Sequence, residues 1–187
     1  MTTMKTKILF VFALFITIFF SCKEEKKTEE VLTEETKEVL YENFTVTLGI
    51  VAKKDDNLHL YFTEDNSINF TEDKSVWAEI KGNEANQQVV FKLPINAIPT
   101  DLRLDLGYGK NPEQMEILIN SINFNYFDKS LVIKGSEVSN YFYPNKQNTV
   151  LDNLTGTVKR IKVDQETAPS LYPHTALEEA LVELTRE

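Results

Sequence analysis

The chain carries few side chains at the spacings that catalysis needs. Its two histidines, His59 and His174, lack the flanking residues of a zinc motif such as HExxH. His59 alternates with Leu58 and Leu60, so we expect it to point to solvent. No GxSxG nucleophile motif is present. Paired carboxylates for glycoside hydrolysis stay open, because the 29 acidic residues offer many pairs. We therefore expect a non-catalytic protein with no metal and no other cofactor.

A tryptophan is the first candidate for ligand binding. Along residues 75–81, Val76, Ala78 and Ile80 share one face of a predicted strand, which places Trp77 on the other face. An outward indole can pack against the C–H face of a sugar ring. The alternative is that a neighbouring loop or the C-terminal helix buries the Trp77 side chain.

Four further candidates lie on a later strand and the loop after it. Arg103 and Asp105 alternate out of a leucine face, so they either pair with charged neighbours, including each other, or hydrogen-bond sugar hydroxyls. Tyr108 and Asn111 lie on the following loop, where the ligand contacts of a sandwich usually gather. A second cluster of the same composition lies near a later turn and contains Tyr141, Tyr143 and Asn145.

The only cysteine, Cys22, ends a segment typical of an export signal. Two lysines precede 13 mostly apolar residues, 8–20, and the small Ser21 comes directly before Cys22. The apolar run is shorter than the roughly 20 residues of a transmembrane helix. The pattern resembles the lipobox of bacterial lipoproteins, which implies a signal peptide at 1–21 and a membrane anchor through lipid on Cys22. The alternatives are an ordinary secretory signal followed by a free thiol, or an uncleaved anchor.

Residues 22–40 form a predicted acidic tether. The stretch 23–40 holds seven Glu and four Lys and no aromatic residue, too polar to bury a core. Fully extended, it would reach on the order of 60 Å. Its start, Lys23-Glu24-Glu25, resembles the signal that routes surface lipoproteins of Bacteroidota to the outer face of the outer membrane. The alternative is a plain solvated charge run. We expect a lipid-anchored protein of the cell envelope, in the outer membrane.

The net charge argues against one class of partner. Removing residues 1–21 takes away two lysines, which leaves 18 basic and 29 acidic residues. So acidic a chain repels the phosphates of nucleic acids and anionic lipid head groups. No second cysteine remains for an internal disulfide, so the fold must depend on an ordinary hydrophobic core.

Short alternating segments from Tyr41 onward predict an all-β fold. About nine strands separated by turn residues indicate a two-sheet antiparallel β-sandwich of the jelly-roll kind over residues 41–165. The alternation changes phase between Ile119 and Ile122, which predicts a bulge. The last three of these predicted strands lie at residues 131–133, 138–142 and 155–163.

Three segments carry a family resemblance: residues 88–94, the strand LRLDLG at 102–107 and the strand MEILINSI at 115–122. Together they resemble jelly-roll domains of the galactose-binding, carbohydrate-binding-module type, found on bacterial surface lipoproteins. The resemblance covers roughly residues 44–163. It implies a sandwich that binds glycan, although many such domains are scaffolds.

Residues 166–187 are predicted to be a C-terminal extension with a short helix. Leu177, Leu181 and Leu184 fall on one helical stripe, and Thr175 with Glu178 has the spacing of a capping box. We expect this helix to pack on an end of the sandwich.

Two functions fit these patterns. The first is a membrane-anchored lipoprotein whose sandwich binds glycan, which requires a shallow aromatic and polar groove holding Trp77 or Tyr108. The second is a structural or assembly lipoprotein that docks a protein of the cell envelope, which requires a contiguous apolar patch.

Overall fold

Alternating apolar residues form strands through most of the chain. The computed structural model describes residues 41–107 and 113–186. Within these ranges there are eleven strands and two α-helices, and two single 3-10 turns at Glu72–Lys74 and Gly135–Glu137. The strands are β1 Tyr41–Ala52, β2 Asp56–Thr63, β3 Ser75–Ile80, β4 Asn83–Lys92, β5 Asp101–Leu106, β6 Glu116–Phe127, β7 Lys129–Lys134, β8 Phe142–Pro144, β9 Thr149–Asp152, β10 Thr157–Arg160 and β11 Ser170–Pro173; the helices are α1 Val138–Tyr141 and α2 Thr175–Thr185.

Two antiparallel sheets confirm the predicted all-β sandwich. The first sheet has the order β4-β1-β6-β10-β9, and β7 also pairs with β6. The second sheet has the order β3-β2-β5-β11-β8, with β3 and β8 at its edges. The inward faces of both sheets supply a common core that includes Phe44, Leu48, Leu60, Leu104 and Phe124, none more than 1% exposed.

The predicted bulge lies in the long strand β6. Gly49 of β1 pairs with Ser121, but the next residue, Ile50, pairs with Ile119, so Asn120 is the extra residue. On its other side β6 changes partner near the bulge, because β10 pairs with its residues 116–118 and β7 with 121–126. On this side of β6, the neighbouring strand is therefore β10 before the bulge and β7 after it.

Two predicted elements differ from the structure. Of the predicted strand 138–142, only Phe142 lies in a strand, β8, and the rest forms helix α1. The helix follows the 3-10 turn at Gly135–Glu137, which the Glu137 carboxylate caps by accepting a 3.0 Å hydrogen bond from the Lys134 backbone N–H. The predicted C-terminal extension, 166–187, supplies strand β11, which pairs with β5 and β8 inside the second sheet. Prolines bound this four-residue strand, which hides its alternation from the sequence.

Helix α2 closes one end of the sandwich. Its leucine stripe is confirmed, since Leu177, Leu181 and Leu184 are buried, and the helix contacts strands of both sheets. The predicted capping box is wrong: the N-cap residue is His174, and no side-chain cap bond forms there. Among the described residues, no helix is both long and apolar enough to cross a membrane.

Candidate functional site

The outer face of the second sheet gathers aromatic and charged side chains. Because Leu58, Leu60 and Phe62 of β2 face the core, His59 and Tyr61 face outward. The strand register places His59 opposite Trp77 of β3 and Asp105 of β5, and Tyr61 opposite Arg103. Tyr172 of β11 and Tyr143 of β8 continue the same face. We call this surface, from β3 across to β8, the outer face.

Arg103 and Asp105 form an ion pair at its centre. Arg103 Nε and Nη2 donate to the two carboxylate oxygens of Asp105 at 2.8 and 2.5 Å. The guanidinium lies 4.8 Å from the Tyr61 ring centroid and 5.1 Å from that of Tyr172. Of the two predicted arrangements the pairing is thus present, and two tyrosines fix the guanidinium through cation–π contacts.

Trp77 lies on the outer face, as the alternation predicts, and is 41% exposed. One face of the indole stacks on His59, with ring centroids 3.7 Å apart. Its Nε1 donates to Glu72 at 3.0 Å, and the Tyr61 hydroxyl donates to the other oxygen of the same carboxylate at 3.2 Å. Glu72 therefore holds the tryptophan and the tyrosine in fixed orientations.

The prediction that the His59 side chain points to solvent is wrong. The side chain lies on the outward side of β2 but is fully buried, between the rings of Trp77 and Tyr61. Burial lowers the pKa of the imidazole, while the nearby Glu72 carboxylate opposes this shift. Alternation predicts the face of a sheet on which a residue lies, but not what its neighbours cover.

A polar cleft of about 660 Å³ opens beside the ion pair. Tyr61, Arg103, Asp105 and Ser170 come from three adjacent strands and form its floor. Two loops supply the walls, and most wall side chains are amides, hydroxyls or charged groups: Asn145, Gln147, Asn148, Lys162, Asp164, Gln165, Glu166 and Thr167, with Ala168. Of these, only Asn145 belonged to a cluster recognised in the sequence.

Hydrogen bonds within the walls fix their geometry. The buried Asn148 amide donates to Thr167 Oγ1 and to the Ala168 carbonyl, both at 2.9 Å, and so joins one wall to the other. Gln165 Oε1 accepts from the backbone N–H groups of Ile161 and Lys162. A cleft held in this way is organised before any ligand arrives, which reduces the entropy lost on binding.

A second, shallower groove adjoins the cleft. It has a volume of about 530 Å³ and shares Asn145 and Gln147 with the cleft. Tyr143 and Tyr172 line it, and their rings stack with centroids 5.8 Å apart. The cleft and the groove together cover the half of the outer face nearest β8.

Asp101 is a buried carboxyl farther along β5. It is 5% exposed, and burial together with the charges of Glu178 and Asp65 raises its pKa to about 6. The folded state therefore binds this proton more tightly than the unfolded chain, whose carboxyl has a pKa of 3.8. Stability accordingly falls as the pH rises through the interval between these two values.

We expect Asp101→Asn to raise the free energy of unfolding at pH 8 by about 1–3 kcal/mol, because it removes a buried charge. Below the unfolded pKa the gain should vanish, since both side chains are then neutral. Urea unfolding of the wild type and the variant, at pH 8 and at a pH below 3.8, measures the difference. Asp128→Asn, at an exposed carboxyl, is the control, and an equal gain for Asp101→Asn at low pH would contradict this explanation.

Three candidate residues lie outside the described part of the chain. They are the lipidation residue Cys22 and the loop residues Tyr108 and Asn111. The described candidates are brought together: Arg103 contacts Asp105, and Trp77 is joined to them through His59 and Tyr61. Across residues 41–107 and 113–186, no group of three His, Cys, Asp or Glu side chains could hold a metal ion.

Neither the protein-family models, nor the curated protein sequences, nor the solved structures contain a match to this chain. The function must therefore be inferred from the chemistry of the outer face.

Proposed function

We propose that this protein is a non-catalytic, lipid-anchored lipoprotein of the cell envelope whose β-sandwich binds a neutral glycan. The supporting observation is the Arg103–Asp105 pair, held between Tyr61 and Tyr172 at the floor of an amide-lined cleft. This arrangement combines ring faces and edges with fixed polar groups on one concave surface.

The cleft chemistry suits sugar hydroxyls. A hydroxyl both donates and accepts hydrogen bonds, and side-chain amides offer both functions within one group. Asn145 and Gln147 supply such amides on one wall, whereas the amides of Asn148 and Gln165 are used in the hydrogen bonds that hold the walls together. Aromatic rings beside them supply apolar area for the C–H groups of a pyranose. Such a combination of apolar surface and a few fixed polar groups is usual in ligand sites.

The charges of the cleft favour a neutral ligand over an anionic one. Asp105 already pairs with Arg103, the most buried cation of the lining. Asp164 and Glu166 add two carboxylates to one wall, against the single ammonium of Lys162. With a net charge of −9 for the whole chain, a uronate or sulfate polymer would also meet long-range repulsion.

Exposed apolar side chains support the protein-docking alternative less well. Those outside the outer face include Val90 on β4, Val132 on β7, Val150 on β9 and Val182 on α2. These four belong to separate elements, and two further exposed pairs, Ile95 with Ile98 and Ile161 with Val163, each have too few side chains for a docking patch of several hundred Å². Single exposed apolar residues of this kind are normal on a protein surface.

The lipid anchor is part of the proposal and has its own test. Cells that express the protein are grown with a clickable fatty acid, and the purified protein is examined for the label. The wild type should incorporate the fatty acid, and Cys22→Ser should abolish incorporation because the acylated thiol is gone. Label retained by Cys22→Ser would remove the anchor from the proposal.

Native gels that contain polysaccharide test glycan binding. The full-length protein, purified in detergent, is run through galactomannan, xyloglucan, xylan and mixed-linkage β-glucan, and through polygalacturonate, alginate and chondroitin sulfate. We expect retardation by at least one neutral polymer and by none of the anionic ones.

Two matched glutamine variants link any retardation to the cleft. Gln147→Ala removes an amide from the cleft wall and should weaken binding. Gln88→Ala removes an exposed amide from β4 of the first sheet and should leave binding unchanged. Equal mobility of the wild type in every gel would sink the proposed function.

A further inference from the structure

We propose that the outer face binds an internal stretch of a polysaccharide chain, laid across the strands, rather than a single terminal sugar. This inference rests on the glycan binding proposed above. It concerns the length and direction of the ligand, which follow from where the exposed rings and the polar groups lie on the sheet.

Exposed aromatic side chains stand at both edges of the second sheet. Trp77 lies on the edge strand β3 and Tyr143 on the opposite edge strand β8, and they are 41% and 37% exposed. Four strand spacings separate β3 from β8. At about 4.8 Å per spacing the two residues are about 19 Å apart across the face. That separation is several times the width of one sugar ring.

The aromatic residues between the edges pack against one another sideways. Tyr61 and Tyr172 enclose the Arg103 guanidinium, and Phe70 from the β2–β3 loop lies 6.5 and 6.1 Å from the two tyrosine rings. Tyr61 is only 9% exposed. Because the inner rings contact each other, exposed aromatic area is concentrated at Trp77 and Tyr143.

The space between β5 and β8 is continuous and large. The cleft and the groove share Asn145 and Gln147, and the ion pair on the cleft floor adjoins Tyr172 of the groove. Each volume, about 660 and 530 Å³, lies in the range of roughly 300–1,000 Å³ that holds a drug-sized molecule. One monosaccharide would fill only part of either space.

The direction of the ligand follows from the order of these groups. Passing from β3 to β8, a chain meets the indole of Trp77, then the polar centre at Arg103 and Asp105, then the Tyr172–Tyr143 pair. A ligand parallel to the strands would reach one of these groups and miss the others. The groove at the β8 edge is shallow and open, so the sugar chain does not have to end at Tyr143.

The test uses oligosaccharides of two to eight units, prepared from a neutral polysaccharide that retards the full-length protein. Titration calorimetry measures the affinity for each length. We expect about a tenfold rise in affinity from two units to six, because ring contacts at both edges are added, and no further rise beyond that. The free monosaccharide should not displace the polymer.

Aromatic variants locate the ends of the ligand. Trp77→Ala and Tyr143→Ala should each weaken hexasaccharide binding severalfold and change the affinity for a disaccharide much less. Phe127→Ala removes an exposed ring at the end of β6, in the first sheet, and should change neither affinity. Circular dichroism checks that all three variants are folded.

The outcomes separate this inference from the function on which it rests. Equal affinity for two and six units, or displacement of the polymer by the monosaccharide, would overturn the extended ligand and leave glycan binding intact. Length dependence that both edge variants preserve would overturn the path across the strands. Absence of binding to every polysaccharide would overturn both proposals.

Discussion

Arg103→Met is expected to abolish glycan binding and to lower the free energy of unfolding by about 3 kcal/mol. The substitution leaves the Asp105 carboxylate, which is nearly buried, without the two hydrogen bonds it accepts from the guanidinium. It also removes the cation that lies between Tyr61 and Tyr172. Urea unfolding measures the stability, and retardation in gels with a neutral polysaccharide measures the binding.

A double variant separates the two effects. Arg103→Met combined with Asp105→Leu removes both charges, so most of the lost stability should return, because no buried charge is left unpaired. Binding should not return, since the polar centre of the outer face is gone. Arg103→Lys keeps the charge but not the planar fork, and should fall between the wild type and Arg103→Met. Wild-type binding by the double variant would show that the ion pair does not contact the ligand.

Gly135→Ala is expected to lower the free energy of unfolding by about 3 kcal/mol. A Cβ at this position would overlap the carbonyl oxygen of Ile119 and lie 3.0 Å from that of Thr155. Both are backbone atoms, and Ile119 also donates its N–H to Gly156 at 3.2 Å, so little can move aside. The chain is crowded here because β6 exchanges β10 for β7 beside the bulge.

The neighbouring serine supplies the control for this prediction. Ser136→Ala changes an exposed side chain in the same 3-10 turn and should alter the midpoint of urea unfolding very little. A Gly135→Ala variant as stable as Ser136→Ala would mean that the three backbone segments are not packed as closely as described.

Period-two alternation predicted the faces of the strands correctly. It placed Trp77, Arg103 and Asp105 on outward faces and the leucines of β2 and β5 in the core. The phase change between Ile119 and Ile122 was enough to predict the bulge, since one extra residue reverses every later side chain. These features depend only on local geometry, which the order of residues determines.

The strand order and the cleft could not be predicted in the same way. β11 has only four residues, the last of them Pro173, and follows Pro169, so its place between β5 and β8 depends on pairing with distant segments. The cleft walls come from loops at 145–148 and 162–168, which have no periodicity to read. The burial of His59 depends on a tryptophan and a tyrosine that the sheet register brings beside it.

Hydrogen exchange measured by mass spectrometry tests the central claim most directly. The full-length protein in detergent is compared with and without the neutral polysaccharide that retards it most. Glycan binding to the outer face predicts slower exchange in residues 145–148 and 162–168, where the cleft walls lie, and unchanged exchange in β4 and β7 of the first sheet. Slower exchange confined to the first sheet, with both wall loops unchanged, would contradict the site proposed here.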